Sequence, residues 1–236
     1  MTEHTCISVI VARFERPLNA GDDTSGFPNG ALAANAGTEV AWLDTGLPKR
    51  DRMIRVWFSL WPSQAAARNH FDTRLDHTPL LSSAVDTWAA LAEPFASHGG
   101  VNWSPDGQMA SLYPNFAANP SPDAPILVIT TLGLNPTGTG FDVFGRQTTA
   151  VRKSFMQNPN VLAEMQMLPD LPALDGPTLS IWRSQSSMMS AAYRSEPHRT
   201  AMNVKVDALA RGSFTRARLV ALQGSWRGQD FSGFAF

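Results

Sequence analysis

One short pattern occurs twice in this chain, 121 positions apart. Residues 58–64 (FSLWPSQ) correspond to residues 179–185 (LSIWRSQ), and His77 and His198 are related by the same offset. Each copy is an apolar, alternating strand that ends in Trp and is followed by a Ser suited to cap a helix. A strand–cap–helix unit that recurs at this distance predicts two ferredoxin-like halves, in which helices cover one face of a sheet.

The repeat predicts an α+β protein with a first half over residues 1–120 and a second half over residues 121–236. Residues 104–125 are rich in Pro, Asn and Ser and are the best candidate for a linker between the halves. The alternative is that the pattern arose by chance in two unrelated places. Duplication is favoured because the two histidines fall into register without a gap.

Periodicity and capping signals predict the elements of each half. Alternating or short apolar runs indicate strands, and a Ser or Pro before helix-forming residues indicates a helix. The predicted strands cover residues 6–14, 53–61, 93–103, 126–131, 179–182 and 215–225. The predicted helices cover residues 65–71, 86–92, 148–157, 185–193 and 195–210, capped in three cases by Ser63, Ser184 and Ser195. Residues 15–48 show little periodicity and are expected to be irregular, with one short helix over residues 31–36.

The composition excludes several classes of function. Hydrophobic residues make up 43% of the chain, and the net charge of −1 provides no attraction to nucleic acid. The single cysteine, Cys6, cannot form an internal disulfide and is typical of a reducing compartment, so a cytoplasmic protein is expected. Neither a signal peptide nor an apolar run long enough to cross a bilayer is recognised. The seven Trp and nine Met either pack a core or line a pocket for a large flat ligand.

Common catalytic motifs are missing from the sequence, but one histidine is in a distinctive position. There is no glycine-rich phosphate loop, no His-x-Glu-x-x-His pair, no Cys pair for zinc and no Gly-x-Ser-x-Gly elbow. His198 follows Ser195-Glu196-Pro197 and is therefore expected in the first turn of a helix, whose positive end disfavours the imidazolium form. A neutral imidazole can bind a transition metal or haem iron. The alternative is a plain surface or capping histidine.

Residues 158–228 resemble the spheroidene monooxygenase family. The resemblance rests on residues 158–161 (NPNV), 178–182 (TLSIW), 192–194 (AYR), 197–198 (PH) and 224–228 (GSWRG), preceded by 144–146 (FGR), and it extends weakly to 58–62 (FSLWP). A more distant resemblance links residues 182–184 (WRS) and 195–198 (SEPH) to the haem-containing aldoxime dehydratases. Those proteins have a duplicated ferredoxin-like fold of the dimeric α/β-barrel type.

The resemblance implies a haem-dependent monooxygenase that oxidises an apolar, carotenoid-like small molecule with dioxygen or peroxide. It implies haem b as the cofactor, His198 as the iron ligand, and a fold type compatible with a homodimer. The expected walls of the haem pocket are Trp182, Met188, Met189, Tyr193 and Met202. Because a histidine ligand lacks the electron push of a thiolate, a polar group is needed on the open side of the haem, and Arg146 is the candidate catalytic residue.

Two other functions remain open. A haem-dependent lyase or dehydratase would need no oxidant, although residues 219–222 (LVAL) lack the second histidine that the dehydratases have on their last strand. A haem-free protein could instead bind a small ligand in an apolar cleft of the same fold.

Overall fold

The computed structural model describes residues 4–19, 21–43, 45–100, 103, 115–135, 137–171, 174–203 and 207–234. The elements of the first half are β1 (Cys6–Arg13), β2 (Ala33–Trp42), β3 (Pro48–Trp61), α1 (Gln64–Asp72), α2 (Arg74–His77), a 3-10 turn (Pro79–Ser83) and β4 (Asp86–Gly99). Most of the predicted linker, residues 104–114, lies outside the described residues.

The second half contains more helix than the first. Its elements are β5 (Ile126–Leu134), α3 (Phe141–Met156), β6 (Val161–Pro169), β7 (Gly176–Trp182), α4 (Gln185–Arg194), α5 (Glu196–Asn203), β8 (Leu209–Trp226) and β9 (Gln229–Asp230). Among the described residues, no helix combines the length and apolar character needed to cross a membrane.

The strands form one antiparallel sheet in the order β4-β1-β3-β2-β6-β7-β5-β8-β9. An additional pairing of β4 with β8 closes the first eight strands of this order into a barrel. The long seam of the barrel runs from Trp88 opposite Gly224 to Gly99 opposite Ser213. The short seam, between β2 and β6, runs only from Gly37 opposite Pro169 to Glu39 opposite Met167.

Both halves order their strands in the same way, as fourth, first, third and second. Trp61 and Trp182 each end the third strand of their half, opposite Cys6 and Ile126, which begin the first strands. This architecture confirms the predicted fold class, which is α+β with tandem ferredoxin-like repeats of the dimeric α/β-barrel type. The pairing also gives a reason for the repeated Trp, because each indole closes the end of a sheet beneath a capped helix.

Alternate side chains of the strands separate an inner core from two outer clusters. The barrel interior is filled by buried residues that include Val9, Val56, Ala90, Leu127, Leu179 and Ala217. On the outside, Trp61 packs in a cluster with Phe71 of α1, and Trp182 packs in a cluster with Met188 of α4. Burial of apolar surface stabilises a fold by about 25 cal/mol per Å². The paired sheet and helix faces are therefore what hold each half together.

The helix predicted over residues 86–92 is wrong, because these residues begin strand β4. β4 lies between β1 and β8, and both of its faces are buried. Trp88 and Ala90 point into the barrel, whereas Ala89 and Leu91 join the outer cluster. A strand covered on both faces does not alternate, so its alanines resembled a helical pattern.

Residues 31–36 are not helical either, and β2 begins at Ala33. β2 approaches β6 closely, because a Cβ atom on Gly37 would lie 2.3 Å from the carbonyl oxygen of Leu168. Strand β6 itself was not predicted; its residues are mostly Ala, Leu, Met, Glu and Gln, which favour helix over strand. The helix predicted over residues 195–210 ends at Asn203. Ser195 does not act as a side-chain cap, since its buried Oγ has no hydrogen-bond partner.

The first half lacks one of the helices of the second half. In the second half α3 connects β5 to β6, but the described residues between β1 and β2 form no helix. α1 and α4 are equivalent, since each follows a strand that ends in Trp and is capped by a Ser hydroxyl, Ser63 or Ser184. The outer face of the first half is therefore covered by irregular chain where the second half has a helix.

Candidate functional site

Two of the predicted haem-pocket residues, Trp182 and Met188, lie together on the outer face of the sheet of the second half. Ser184 accepts a hydrogen bond from the backbone N–H of Ser187 (3.0 Å) and starts α4 directly after Trp182. This start places Met188, which is 2% exposed, in the same cluster as the Trp182 indole. The indole Nε1 donates to the Ser180 hydroxyl at 2.8 Å.

His198 lies in the first turn of α5, as predicted, and faces α3. Its ring is nearly parallel to that of Phe155, with centroids 6.2 Å apart, and Phe155 in turn meets Trp182 edge to face at 5.0 Å. The imidazole Nδ1 is buried and has no hydrogen-bond partner. Phe155 thus connects the half-buried imidazole, whose Nδ1 is unpartnered, to the Trp182 indole.

Burial lowers the pKa of His198 below its usual value, so the ring is neutral at pH 7. The helix dipole led to the same expectation of a neutral imidazole, but the cause in the structure is burial, which outweighs an opposing hydrogen bond with the backbone of Ala192. A neutral ring has a free lone pair and can bind a metal ion. The described residues contain no group of three or more His, Cys, Asp or Glu that could chelate a metal ion. Cys6 is no rival ligand, because burial raises its pKa to about 12.

The other predicted site residues are not brought to this position. Met189 and Tyr193 on α4 are 37% and 63% exposed. The side chain of Met202 lies outside the described residues. Arg146 is on the exposed surface of α3, in an ion pair with Asp142 at 2.6 Å. At a rise of about 1.5 Å per residue, Arg146 lies roughly 13 Å along the helix from Phe155.

A cavity of about 760 Å³ lies on the outer face of the first half, where the missing helix would have packed. Its walls come from β2, β3, α1, α2 with the following Thr78, the irregular chain before β2, and Asp170, Leu171 and Leu174 between β6 and β7. Its aromatic walls are Phe27, Trp57, Trp61, His70 and His77. A smaller cavity, of about 370 Å³, lies beside the start of α3 between Trp42 and Phe144.

His70 lies between two other rings in the larger cavity. Its ring centroid is 4.8 Å from that of Trp61 and 5.5 Å from that of His77, with which it is almost parallel. Burial, and secondarily the proximity of His77, lower the pKa of His70 to about 4. The ring is therefore neutral at pH 7, and its Nδ1 is buried without a partner.

The charged groups of the cavity are paired, with one arginine between two carboxylates, and Asp170 also lies 3.7 Å from Arg50, which does not line the cavity. Arg55 bridges Asp23 and Asp170 through contacts of 2.6 Å to each carboxylate. Trp57 donates its Nε1–H to Asp23 (3.0 Å) and to the Ser25 hydroxyl (2.8 Å), which ties the irregular chain to β3. Burial would raise the pKa of Asp23, but hydrogen bonds from Ser25 and the charge of Arg55 hold it below its usual value.

Sequence reasoning missed this cavity. The available signal was the length of chain between the first two strands, which is rich in Gly and Pro and shows no helical period. Such a segment does not reveal what it covers. The stacking of His70 on His77 was also not predicted, because the seven-residue spacing crosses the break between α1 and α2.

Comparison with solved structures defines the class of fold. An aldoxime dehydratase superposes with a TM-score of 0.50 at 7% identity, over 92% of this chain and 82% of that one. A second aldoxime dehydratase structure, in complex with butyraldoxime, gives a TM-score of 0.48 at 6% identity, over 92% of this chain and 80% of the other. At 7% identity the first of these likenesses shows a shared fold and nothing more, and that fold is the dimeric α/β barrel.

Among curated proteins, the chain is similar to the spheroidene monooxygenase of Rhodobacter capsulatus. The two are 25% identical over 186 residues, which cover 72% of this chain and 71% of the relative. No protein-family model matches the chain. The similarity confirms the resemblance to spheroidene monooxygenase that the sequence motifs indicated.

Proposed function

We propose that this protein is a haem-dependent monooxygenase that oxidises an apolar, carotenoid-like small molecule. The observation that carries the proposal is His198, a neutral, half-buried imidazole with an unpartnered nitrogen in an aromatic setting. The 25% identity to spheroidene monooxygenase over most of the chain supports an enzyme of the oxygenase class. The dehydratase-like fold supports a site between sheet and helix.

The chemistry of His198 fits a haem ligand. His198 would hold the iron through its imidazole, and the stacked Phe155 ring would fix the orientation of that imidazole. Trp182 and Met188 are 1% and 2% exposed, with Phe155 of α3 against Trp182, so α3 would have to shift for their apolar side chains to lie beside the macrocycle. The bound haem would supply the activation of dioxygen or peroxide. With dioxygen, one oxygen atom enters the substrate, the other leaves as water, and an external reductant provides two electrons.

The catalytic role of Arg146 stays a prediction. Its guanidinium is about half exposed and is paired with Asp142, one helical turn away on the same face of α3. To act on an oxidant, the side chain would have to leave this pair and turn towards the sheet.

A haem-dependent lyase is the second candidate, and the aldoxime dehydratase fold supports it. A lyase and a monooxygenase differ in their requirement for an oxidant. Turnover of an aldoxime without added dioxygen or peroxide would favour the lyase. Addition of one oxygen atom to spheroidene, dependent on an oxidant, would favour the monooxygenase. A haem-free binding protein, the third candidate, would show no haem absorption band at all.

The decisive experiment compares two histidine variants at equivalent positions of the two halves. The purified protein is expected to show a haem absorption band, and His198→Ala should abolish or displace it together with activity. The matched control is His77→Ala, in which the band should stay in place. A normal spectrum in His198→Ala would show that the ligand assignment is wrong. Absence of haem from the protein purified from haem-replete cells would exclude the haem-dependent mechanism.

A further inference from the structure

The cavity of the first half exists because a helix is missing there. In the second half, Phe155 of α3 covers the Trp182 indole at 5.0 Å. At the equivalent position, no helix among the described residues covers Trp61 as α3 covers Trp182, and a space of about 760 Å³ lies beneath the irregular chain. This volume is within the range of pockets that enclose small molecules. The duplicated fold therefore has one outer face filled by its own helix and one that is available to a ligand.

We propose that the cavity of the first half is a second binding site, which takes a flat, uncharged, conjugated small molecule that carries a hydroxyl group. This site is separate from the haem proposed at His198. None of the residues that line the cavity comes from α3, α4 or α5. The proposal therefore does not depend on haem binding or on turnover.

The flat shape follows from the aromatic walls. Trp57, Ser59 and Trp61 are successive outward-facing residues of β3, and His70 of α1 lies over Trp61. Indole and imidazole rings present broad apolar surfaces against which another ring system can stack. On the neighbouring strand β2, the small side chains of Ala34 and Ala36 lie opposite Ser59 and Trp57 and leave room for a planar molecule beside the rings.

The hydroxyl group follows from His70, the buried polar ring of the cavity that has no hydrogen-bond partner among the described residues, whereas the ring of His77 is exposed. Trp57 donates its N–H to Asp23 and Ser25, and Trp61 donates to the Ser8 hydroxyl at 2.8 Å. His70 has no such bond, and its Nδ1 is buried and unpartnered in a side chain that is only 9% exposed. Because Nδ1 is buried, the imidazole can meet a ligand only through Nε2, which makes no hydrogen bond with the described residues. Nε2 donates in one tautomer of the neutral ring and accepts in the other, and a hydroxyl matches either.

The absence of charge follows from the ion pairs. Arg55 is bonded to both Asp23 and Asp170, and its side chain is 10% exposed. Among the described lining residues it is the only arginine, and there is no lysine. A carboxylate ligand would have to break this network or stay unpaired in an apolar pocket, which is unfavourable. Haem, with its two propionates, is disfavoured here for the same reason.

The test measures binding of three naphthalene probes by equilibrium dialysis to the protein as purified. 2-Naphthol has the ring and the hydroxyl, naphthalene has the ring alone, and 2-naphthoate has the ring and a negative charge. We expect 2-naphthol to bind with one-to-one stoichiometry, and naphthalene and 2-naphthoate to bind about tenfold more weakly or worse. His70→Phe should weaken the binding of 2-naphthol about tenfold and leave the binding of naphthalene unchanged, because only the hydroxyl group loses a hydrogen-bond partner.

Two further variants distinguish loss of the binding site from a folding defect. Ala66→Trp places a large side chain at the cavity wall on α1 and should abolish binding of both neutral probes. His98→Phe is the control, since His98 is exposed on β4 and does not line the cavity, so binding should match the parent protein. Equal affinity for all three probes, or 2-naphthol binding that survives Ala66→Trp, would overturn the proposal. Loss of the haem band in Ala66→Trp would overturn it in favour of haem in this cavity.

Discussion

Replacing Arg152 with Met would leave two buried carboxylates without their counter-charge. Arg152 extends from α3 to Glu164 on β6 (2.6 Å) and to Glu39 on β2 (2.6 Å), and it also donates to the carbonyl oxygen of Val40 at 2.7 Å. The side chains of Glu164 and Glu39 are 1% and 6% exposed. The contacts span the short seam between β2 and β6, so one guanidinium ties the two halves together where their strands pair least.

The size of the effect follows from this burial. Removing one partner of a buried ion pair destabilises a protein by about 3–5 kcal/mol, because the remaining charge cannot be solvated. Arg152 serves two carboxylates, and Arg227 reaches Glu39 only at 3.6 Å, so little compensation is available. At about 2–4 °C per kcal/mol for a chain of this size, Arg152→Met should lower the Tm by roughly 10 °C.

The effect should depend on pH. Burial already raises the pKa of Glu39 and of Glu164, against the opposing charge of Arg152. Without Arg152 both values rise further, so the folded variant binds protons that the unfolded chain has already released. Stability of the variant then falls as pH rises above the usual carboxyl range. The loss of Tm should therefore be larger at pH 8 than at pH 5.

Thermal unfolding followed by circular dichroism at pH 5 and pH 8 measures both effects. The control is Arg146→Met on the same helix, where the pair with Asp142 is about half exposed and is worth at most about 1 kcal/mol. Adding Glu164→Gln to Arg152→Met should recover part of the loss. If the Tm of Arg152→Met at pH 8 lies within about 2 °C of that of the parent protein, the ion pairs of Arg152 across the short seam do not stabilise the fold.

Two further predictions concern glycine geometry and a buried imidazole. Gly46 has a φ of +82°, and a Cβ there would lie 2.4 Å from the backbone of Asp142, whereas Gly30 has a φ of +83° with open space around it. Gly46→Ala should therefore lower the free energy of unfolding by clearly more than Gly30→Ala, for which only backbone strain of roughly 1–2 kcal/mol is expected. Urea unfolding measures both, and equal losses would show that the close approach to Asp142 has no effect. The pKa of His70 is lowered to about 4 in the folded protein. Between about pH 6.5 and pH 4 the unfolded chain therefore binds a proton at this residue that the folded chain does not bind. The free energy of unfolding consequently decreases as the pH falls through this range. The fall in Tm between pH 7 and pH 5 should be smaller in His70→Phe than in the parent protein, and an equal or larger fall would contradict the assignment.

Local sequence signals predicted those parts of the fold that depend on neighbouring residues. The repeated strand–Trp–Ser pattern led directly to β3 with α1 and to β7 with α4, because alternation and N-capping act within a few residues. His198 was likewise expected in the first turn of its helix, since Ser195, Glu196 and Pro197 precede it. The equal strand order of the two halves then followed from the duplication.

Tertiary structure alone decided how the halves close and where space remains. The burial of β4 on both faces depends on β1 and β8, which lie far away in sequence, so its alanines were read as a helix. Arg146 and Phe155 both lie on α3, and only the packing of α3 against α5 decides that Phe155 meets His198 and Arg146 does not. The cavity beside Trp61 and His70 depends on a helix that the first half does not have. Such features arise from contacts between distant segments and from the volume that those segments leave empty. The local periodicity of the sequence predicts neither of them.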